Sequence, residues 1–189
     1  MSSLFSLENW PVLVICVGMI AAAVIDWWKF KVPNKLTFPL IISGWILGLC
    51  NNFGLEAGYD PAQGFIGGIG SALAGTFLGL ALMLPVYAIG GMGAGDVKLL
   101  ACLGAWVGPQ DALWMGLYAM IAGGVMGIGV ALATGYARKA VGNIWMLLQY
   151  WRVMGVRPLP ELTLETSRGP RLPYAIPIAA GAVAAIWMR

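Results

Sequence analysis

The chain has 189 residues, 60% of them hydrophobic and 10% charged, with a formal net charge of +3. A soluble domain carries about 25% charged residues, so these side chains are too few to cover a water-facing surface, and the chain reads as an all-α, polytopic integral membrane protein, a single domain over residues 1–189 with no appended soluble domain. There is no histidine, which excludes Ser-His-Asp and Cys-His catalysis and His-ligated metal; Cys16, Cys50 and Cys102 form no C-x-x-C pair and read as small buried hydrophobes, so neither a metal site nor a cofactor is expected.

In chain order, residues 1–9 carry Glu8 and no Lys or Arg, which argues against a cleaved signal peptide. Trp10 to about Trp28 is the first span, long enough for a bilayer core, with Trp27 and Trp28 suited to the interfacial belt and Asp26 just inside it. The basic loop 29–35 follows, where Pro33 breaks helical geometry and Asn34 is expected to cap the next helix. Span two runs from about Leu36 to Phe53, and the loop after it carries Glu56 and Asp60 but no base. Span three, about Gln63 to Ile89, has Gly64-x-x-x-Gly68 and Gly75-x-x-x-Gly79, a spacing that lets membrane helices pack closely; Pro85 is expected to kink its end.

The stretch Gly90-Gly91-Met92-Gly93-Ala94-Gly95-Asp96-Val97-Lys98 sets four glycines and one carboxylate between apolar runs. Irregular backbone at membrane depth survives only inside protein or beside water, and an ionisable residue there is a functional-site hypothesis by default; the plain alternative is a loop whose Asp96 caps the next helix. A short run, Val97 to Val107, follows as span four. Gly108 and Pro109 end it, Asp111 reads as a loop acid, and span five runs from about Ala112 to Tyr136 with a Gly123-x-x-x-Gly127 spacing. The polar segment of about 140–172 is a linker. Within it Asn143 to Val156, with Ile144, Leu147, Leu148 and Trp151 at helical intervals, is expected to be an amphipathic helix on the membrane surface. Pro173 to Met188 is span six.

Six spans, with a glycine-rich break before the fourth, place ten of the eleven bases on one side and leave only Arg189 on the other. The positive-inside rule puts that side in the cytoplasm. Asp26 then ends one helix and Asp96 begins another at the same membrane edge. Two carboxylates in a confined, partly dehydrated place cannot easily both ionise, so such a pair holds one proton between them. One member can then take a proton from water while the other polarises a peptide carbonyl, as in aspartic proteases. The competing reading pairs Asp26 with Lys29 at i,i+3. Glu161 and Glu165 read as a solvated loop pair. The glycine run lacks the Gly-Lys-Ser/Thr ending of a phosphate loop, and the scattered bases give no nucleic-acid site.

Gly93-Ala94-Gly95-Asp96 matches the GxGD signature of intramembrane aspartic peptidases, and Val97-Lys98-Leu99 extends it as in type IV prepilin peptidases. Asp26, followed seven residues on by Pro33-Asn34, resembles that family's first aspartate and its Ile-Pro-Asn segment, with Val32 in place of Ile. Arg171-Leu172-Pro173-Tyr174-Ala175 resembles the third motif, which opens the last helix. The presenilin-like enzymes are a poorer match, since Ile25 rather than tyrosine precedes Asp26. The chain resembles the short, TadV/CpaA-like branch, which serves Flp-type pili, because the long members' methyltransferase region and four cysteines have no counterpart in this sequence.

The resemblance implies a membrane aspartic endopeptidase of the bacterial inner membrane, with Asp26 and Asp96 catalytic and Pro33, Asn34, Gly93, Gly95, Lys98, Pro173 and Tyr174 supporting the site. Its substrate would be a prepilin or pseudopilin, a basic leader followed by a hydrophobic helix, cut at the cytoplasmic face. The Gly90 to Gly95 backbone would pair with the unwound cleavage site, and Lys98 would stabilise the ionised carboxylate. Membrane lipids are the other expected partner, and the sequence specifies no oligomeric state. Two other classes fit the residues: a non-catalytic pilus-assembly scaffold, and an ion-coupled transporter using the two aspartates.

Overall fold

The computed structural model describes residues 10–29, 32–53, 68–155 and 172–188, and every element among them is helical. In order these are α1 (Trp10–Lys29), α2 (Asn34–Asn52), α3 (Ile69–Ala88), α4 (Ala94–Ala133), α5 (Ala137–Met154) and α6 (Ala175–Trp187). The all-α expectation holds for them. Two of these helices, α3 and α4, are both long and apolar enough to cross a membrane. The Gln63 start of span three, Gly64, the loop acids Glu56 and Asp60, and the linker over 156–171 with Glu161 and Glu165 lie outside the described residues.

α4 is the centre of the fold. Gly108, with φ +78° and ψ 178°, interrupts it, a conformation open to glycine and strained for other residues. Pro109 then occupies the first position of a new helix, where its missing N–H costs nothing. The chain doubles back here: a Cβ on Gly116 would lie 3.2 Å from a methyl of Leu100, sixteen residues earlier. The expected spans four and five are therefore two arms, 94–107 and 109–133, meeting at one residue with no loop between them. Asp111, expected in a loop, sits in the first turn of the second arm and is only 6% exposed.

The first arm is apolar on all sides because it is surrounded on all sides. From Val97 to Gly108 only Lys98 is not buried. At about 21 Å for fourteen residues it is too short to span a bilayer alone, and its place in the middle of the bundle explains how so short a run is accommodated. α2 presents Thr37, Ile41, Gly44 and Gly48 to it and to α3. Trp106 donates its indole N–H to the Leu40 carbonyl at 2.7 Å, and Trp45 donates to Thr76 at 3.0 Å. On α3, Gly75 and Gly79 bring backbone onto backbone: a Cβ on Gly79 would sit 2.7 Å from the Leu100 carbonyl oxygen. On α6, a Cβ on Gly181 would meet the Met115 carbonyl oxygen at 2.7 Å. Small residues thus set the spacing on both sides of α4, as in membrane bundles, where the hydrophobic effect does not drive helix association. Cys102 is buried in this core, while Cys16 and Cys50 are half-buried.

α5 differs from the other helices. It begins at Ala137, six residues before the amphipathic stretch read from the sequence, and Val156 falls beyond the described residues. None of its residues is buried. Ile144, Trp145 and Leu148 are exposed, as are Arg138, Lys139 and Arg152. Glycines with positive φ, Gly135 and Gly155, close the helices at its two ends.

Candidate active site

Four helix ends, those of α1, α2, α4 and α6, converge at one end of the bundle. Asp26 lies in the last turn of α1 and Asp96 in the first turn of α4, 4% and 8% exposed respectively. Their neighbours Trp27 and Trp28 are exposed, so α1 turns Asp26 inward at the level where its aromatic residues face out. Both carboxylates line a pocket of about 340 Å³ together with Val32, Asn34, Gly93, Ala94, Gly95 and Lys98.

Each carboxylate is held by a backbone amide. Asp96 Oδ2 accepts the Gly93 N–H at 3.3 Å while its own N–H donates to the Gly93 carbonyl at 3.2 Å. The plain reading of the glycine stretch expected Asp96 as the N-cap; Gly93 is the N-cap instead, and Asp96, three residues on, reaches back to its N–H while also facing the pocket. Asp26 Oδ2 accepts the Ala175 N–H at 3.1 Å. That amide opens α6, where unpaired N–H groups and the helix dipole favour an anion. The tie joins residues 149 positions apart. The alternative partner of Asp26, Lys29, has a side chain outside the described ones.

Gly95 marks a close approach in the glycine stretch. A Cβ on it would lie 3.1 Å from Val32 Cβ and from the Val32 carbonyl oxygen, so the 32–33 segment rests directly on the Asp96 turn. Pro33 is the N-cap of α2 in extended geometry. Asn34 does not cap α2; no side-chain cap bond forms there. Its Oδ1 instead accepts Lys98 Nζ at 2.9 Å, and the Lys98 ammonium lies 5.3 Å from the Phe38 ring centroid. Lys98 lines the pocket as expected, but its charge is directed at Asn34 and Phe38, clasping the start of α2 to the start of α4.

Of the support residues read from the sequence, Asn34, Gly93, Gly95 and Lys98 line the pocket. Pro173 is buried, two residues before the Ala175 amide that holds Asp26. The Tyr174 side chain lines a neighbouring apolar groove, within reach of the Asp96 charge. The expected role of Gly90 to Gly95 as pairing partners is curtailed: the N–H groups of Gly90, Gly91 and Gly93 are bonded to Tyr87 O, Val86 O and Asp96 Oδ2. Two residues without a functional side chain, Ala94 and Ala175, also belong to the site. Ala175 acts through its amide, which any residue but proline supplies, so only its place at the end of the third motif pointed to it. Among the described residues, no three Cys, Asp or Glu side chains gather in a metal-holding group.

A helical protein with apolar, membrane-length helices and two buried carboxylates sharing one pocket is the class that this geometry defines. Comparison with known proteins narrows it. The sequence profile of the type IV leader peptidase family matches residues 13–128, more than half of the chain and including both aspartates, Pro33-Asn34 and Gly93 to Asp96. The chain belongs to that family. Among similar proteins, the prepilin leader peptidase/N-methyltransferase of Aeromonas salmonicida (strain A449) is 34% identical over 127 residues, 64% of this chain and 39% of the relative. The protein of the same name from Stutzerimonas stutzeri is 32% identical over 130 residues, 65% of this chain and 40% of the relative. That from Neisseria gonorrhoeae is 31% identical over 163 residues, 77% of this chain and 54% of the relative. The chain thus spans about two-fifths to one-half of the length of these relatives. No solved structure matches it.

Proposed function

We propose that this chain is a membrane aspartic endopeptidase that removes the leader peptide of type IV, Flp-like prepilins or pseudopilins at the cytoplasmic face of the bacterial inner membrane. The observation that carries the reading is the shared pocket of Asp26 and Asp96, each carboxylate oriented by one backbone N–H. Family membership supports the choice of a leader peptide as substrate.

In this mechanism the pair holds one proton. The ionised carboxylate takes a proton from a water molecule as that water's oxygen bonds to the scissile carbonyl carbon. The protonated carboxylate donates its hydrogen to the carbonyl oxygen, giving a neutral tetrahedral diol. The diol then collapses: its C–N bond breaks, a proton passes to the leaving nitrogen, and a new carboxyl and a new amine separate. The amides of Gly93 and Ala175 fix the two carboxylates during both steps, which is what places reacting atoms within near-attack reach. Lys98, held by Asn34, keeps α2 and the Asp96 turn in register.

The six-span arrangement, with both termini outside the cytoplasm, belongs to the same proposal. It is supported by the ten-to-one split of bases and by the gathering of the ends of α1, α2, α4 and α6 around one pocket. Co-expression with a prepilin encoded near this chain's gene tests the reading. The prepilin should lose the mass of its leader, and an unchanged prepilin would reject the peptidase. Reporter fusions at Lys35, Gly91 and Arg157 should score cytoplasmic and those at Gly58 and Gln110 external. An external score at Gly91 would remove the carboxylates from the face where prepilins arrive.

A further inference from the structure

α5 leaves the bundle at a joint that fixes its start. The second arm of α4 shows one exposed apolar stripe, Ile121, Val125, Ile128 and Leu132, whose steps of four, three and four residues keep it on one helix face. The stripe runs to the end of the arm, where Gly135, with φ +68°, turns the chain into α5. Asn143 donates a side-chain N–H to the Tyr136 hydroxyl at 3.0 Å, tying the start of α5 to that joint. Ala140 and Ile144 line the same groove as Met92 and Tyr174, so α5 begins at the end of the bundle that holds the carboxylates.

The exposed side chains of α5 are sorted into rows. Val141, Ile144 and Leu148 form an apolar row at steps of three and four residues. Beside it runs a second row, Arg138, Trp145 and Arg152, at steps of seven, all exposed. Seven residues turn a helix to within about 20° of two full turns, so these three lie along one line with the indole at its centre. The opposite side is mixed: Lys139, Asn143, Gln149 and Tyr150 stand with Met146 and Val153. The whole helix carries three bases and no acid.

These rows identify the occupant. An apolar row edged by cations suits a helix lying in the bilayer interface. Arginine stems follow apolar surface while the guanidinium reaches outward, and tryptophan favours headgroup level. Arg138 and Arg152 stand about 21 Å apart along the helix, at 1.5 Å per residue. That is too far for one small anion, so the pair fits a surface that presents many. The apolar stripe of α4 leads lipid up to the joint, so the interface continues from one helix onto the next. With bases and no acid, the complementary surface is a negative one.

We propose that α5 lies along the membrane surface at the carboxylate end of the bundle and binds acidic phospholipid headgroups through Arg138 and Arg152, with Val141, Trp145 and Leu148 set among the upper acyl chains. The contact goes beyond the endopeptidase reading and stands or falls apart from it, since it needs no reaction in the pocket.

The test uses the full chain, one copy per lipid nanodisc, with an environment-sensitive fluorescent amino acid in place of Leu148. Phosphatidylglycerol is raised stepwise in discs of phosphatidylcholine. The emission should shift to the blue as the acidic lipid increases, and the shift should shrink in high salt. Arg138→Gln/Arg152→Gln should raise the acidic-lipid fraction at half-shift at least about fivefold, or ~1 kcal/mol. Lys35→Gln removes an exposed base at the start of α2 and should leave the half-shift at the wild-type value. Emission that does not respond to acidic lipid, or an equal change in Lys35→Gln, overturns the proposal. So does a shift produced in neutral discs by inorganic phosphate alone, which would assign the arginines to a soluble anion. A shift seen only when two copies share a disc also overturns it, because a second chain would then cover the helix.

Discussion

Asp26→Asn and Asp96→Asn are each expected to lower prepilin cleavage by at least about 10³-fold, a barrier increase of ~4 kcal/mol, with normal insertion and abundance. Asparagine keeps the shape of aspartate and still accepts the Ala175 or Gly93 N–H through its carbonyl oxygen, so the local fold survives. What it cannot do is exchange a proton. Because the two groups serve halves of one step, losing either stops the step, and the double variant should be no slower than the slower single variant. The pH–rate profile of the wild type should be bell-shaped, falling when both carboxylates are protonated and again when both are ionised. Lys98→Ala, which removes the clasp to Asn34 but no reacting group, should slow cleavage without abolishing it. Near wild-type processing by either single Asn variant would contradict the paired-carboxylate mechanism and favour the scaffold reading.

Gly79→Val is expected to have the largest effect on folding. Its Cβ would lie 2.7 Å from the Leu100 carbonyl oxygen and 2.9 Å from Ala101 Cα. Both are backbone atoms of the buried first arm of α4, so no side chain can swing aside, and α3 and α4 must part. Overpacking a core costs about 1–3 kcal/mol and occasionally more. Here the cost is expected at or above the upper end, since separating the helices also loses close contacts along α3, and total stability is only about 5–15 kcal/mol. The expected readout is loss of monodisperse protein in mild detergent and a lower thermal aggregation temperature. Gly129→Val, whose added Cβ meets nothing within 4 Å, should behave as wild type. Equal behaviour of the two variants would contradict backbone-to-backbone packing of α3 on α4.

The parts of this structure that depend on residue type and run length were legible in the sequence. Long apolar runs gave α1 to α3 and α6. A carboxylate at the edge of one run and another in a glycine stretch led to a pocket that contains both. Glycines at four-residue spacing pointed to a close helix contact on α3, without naming its partner. What escaped depends on who touches whom. The continuity of spans four and five turns on one backbone torsion at Gly108, which a Gly-Pro pair also allows as an ordinary loop. Asp111 follows Gly108 by three residues, as Asp96 follows Gly93, yet a carboxylate three residues past a helix break reads equally well as solvated or buried. Asn34 is of a type that favours caps, whereas its contact with Lys98 crosses 64 residues and leaves no local signal. The Ala175 amide that holds Asp26 has no side-chain signature at all. The Gly123 and Gly127 pair has the same spacing as the Gly75 and Gly79 pair, and only the fold separates a spacing closed backbone to backbone from one covered by the side chains of Tyr174, Pro177 and Leu172.

The most direct measurement of the central claim is the intact mass of a synthetic prepilin peptide after incubation with the purified chain in lipid, with a chelator present. The account predicts two fragments whose masses sum to the peptide plus one water, cut at a single bond after the leader, with no loss of rate from the chelator. A peptide that stays whole, or one whose cleavage stops with the chelator, would contradict it.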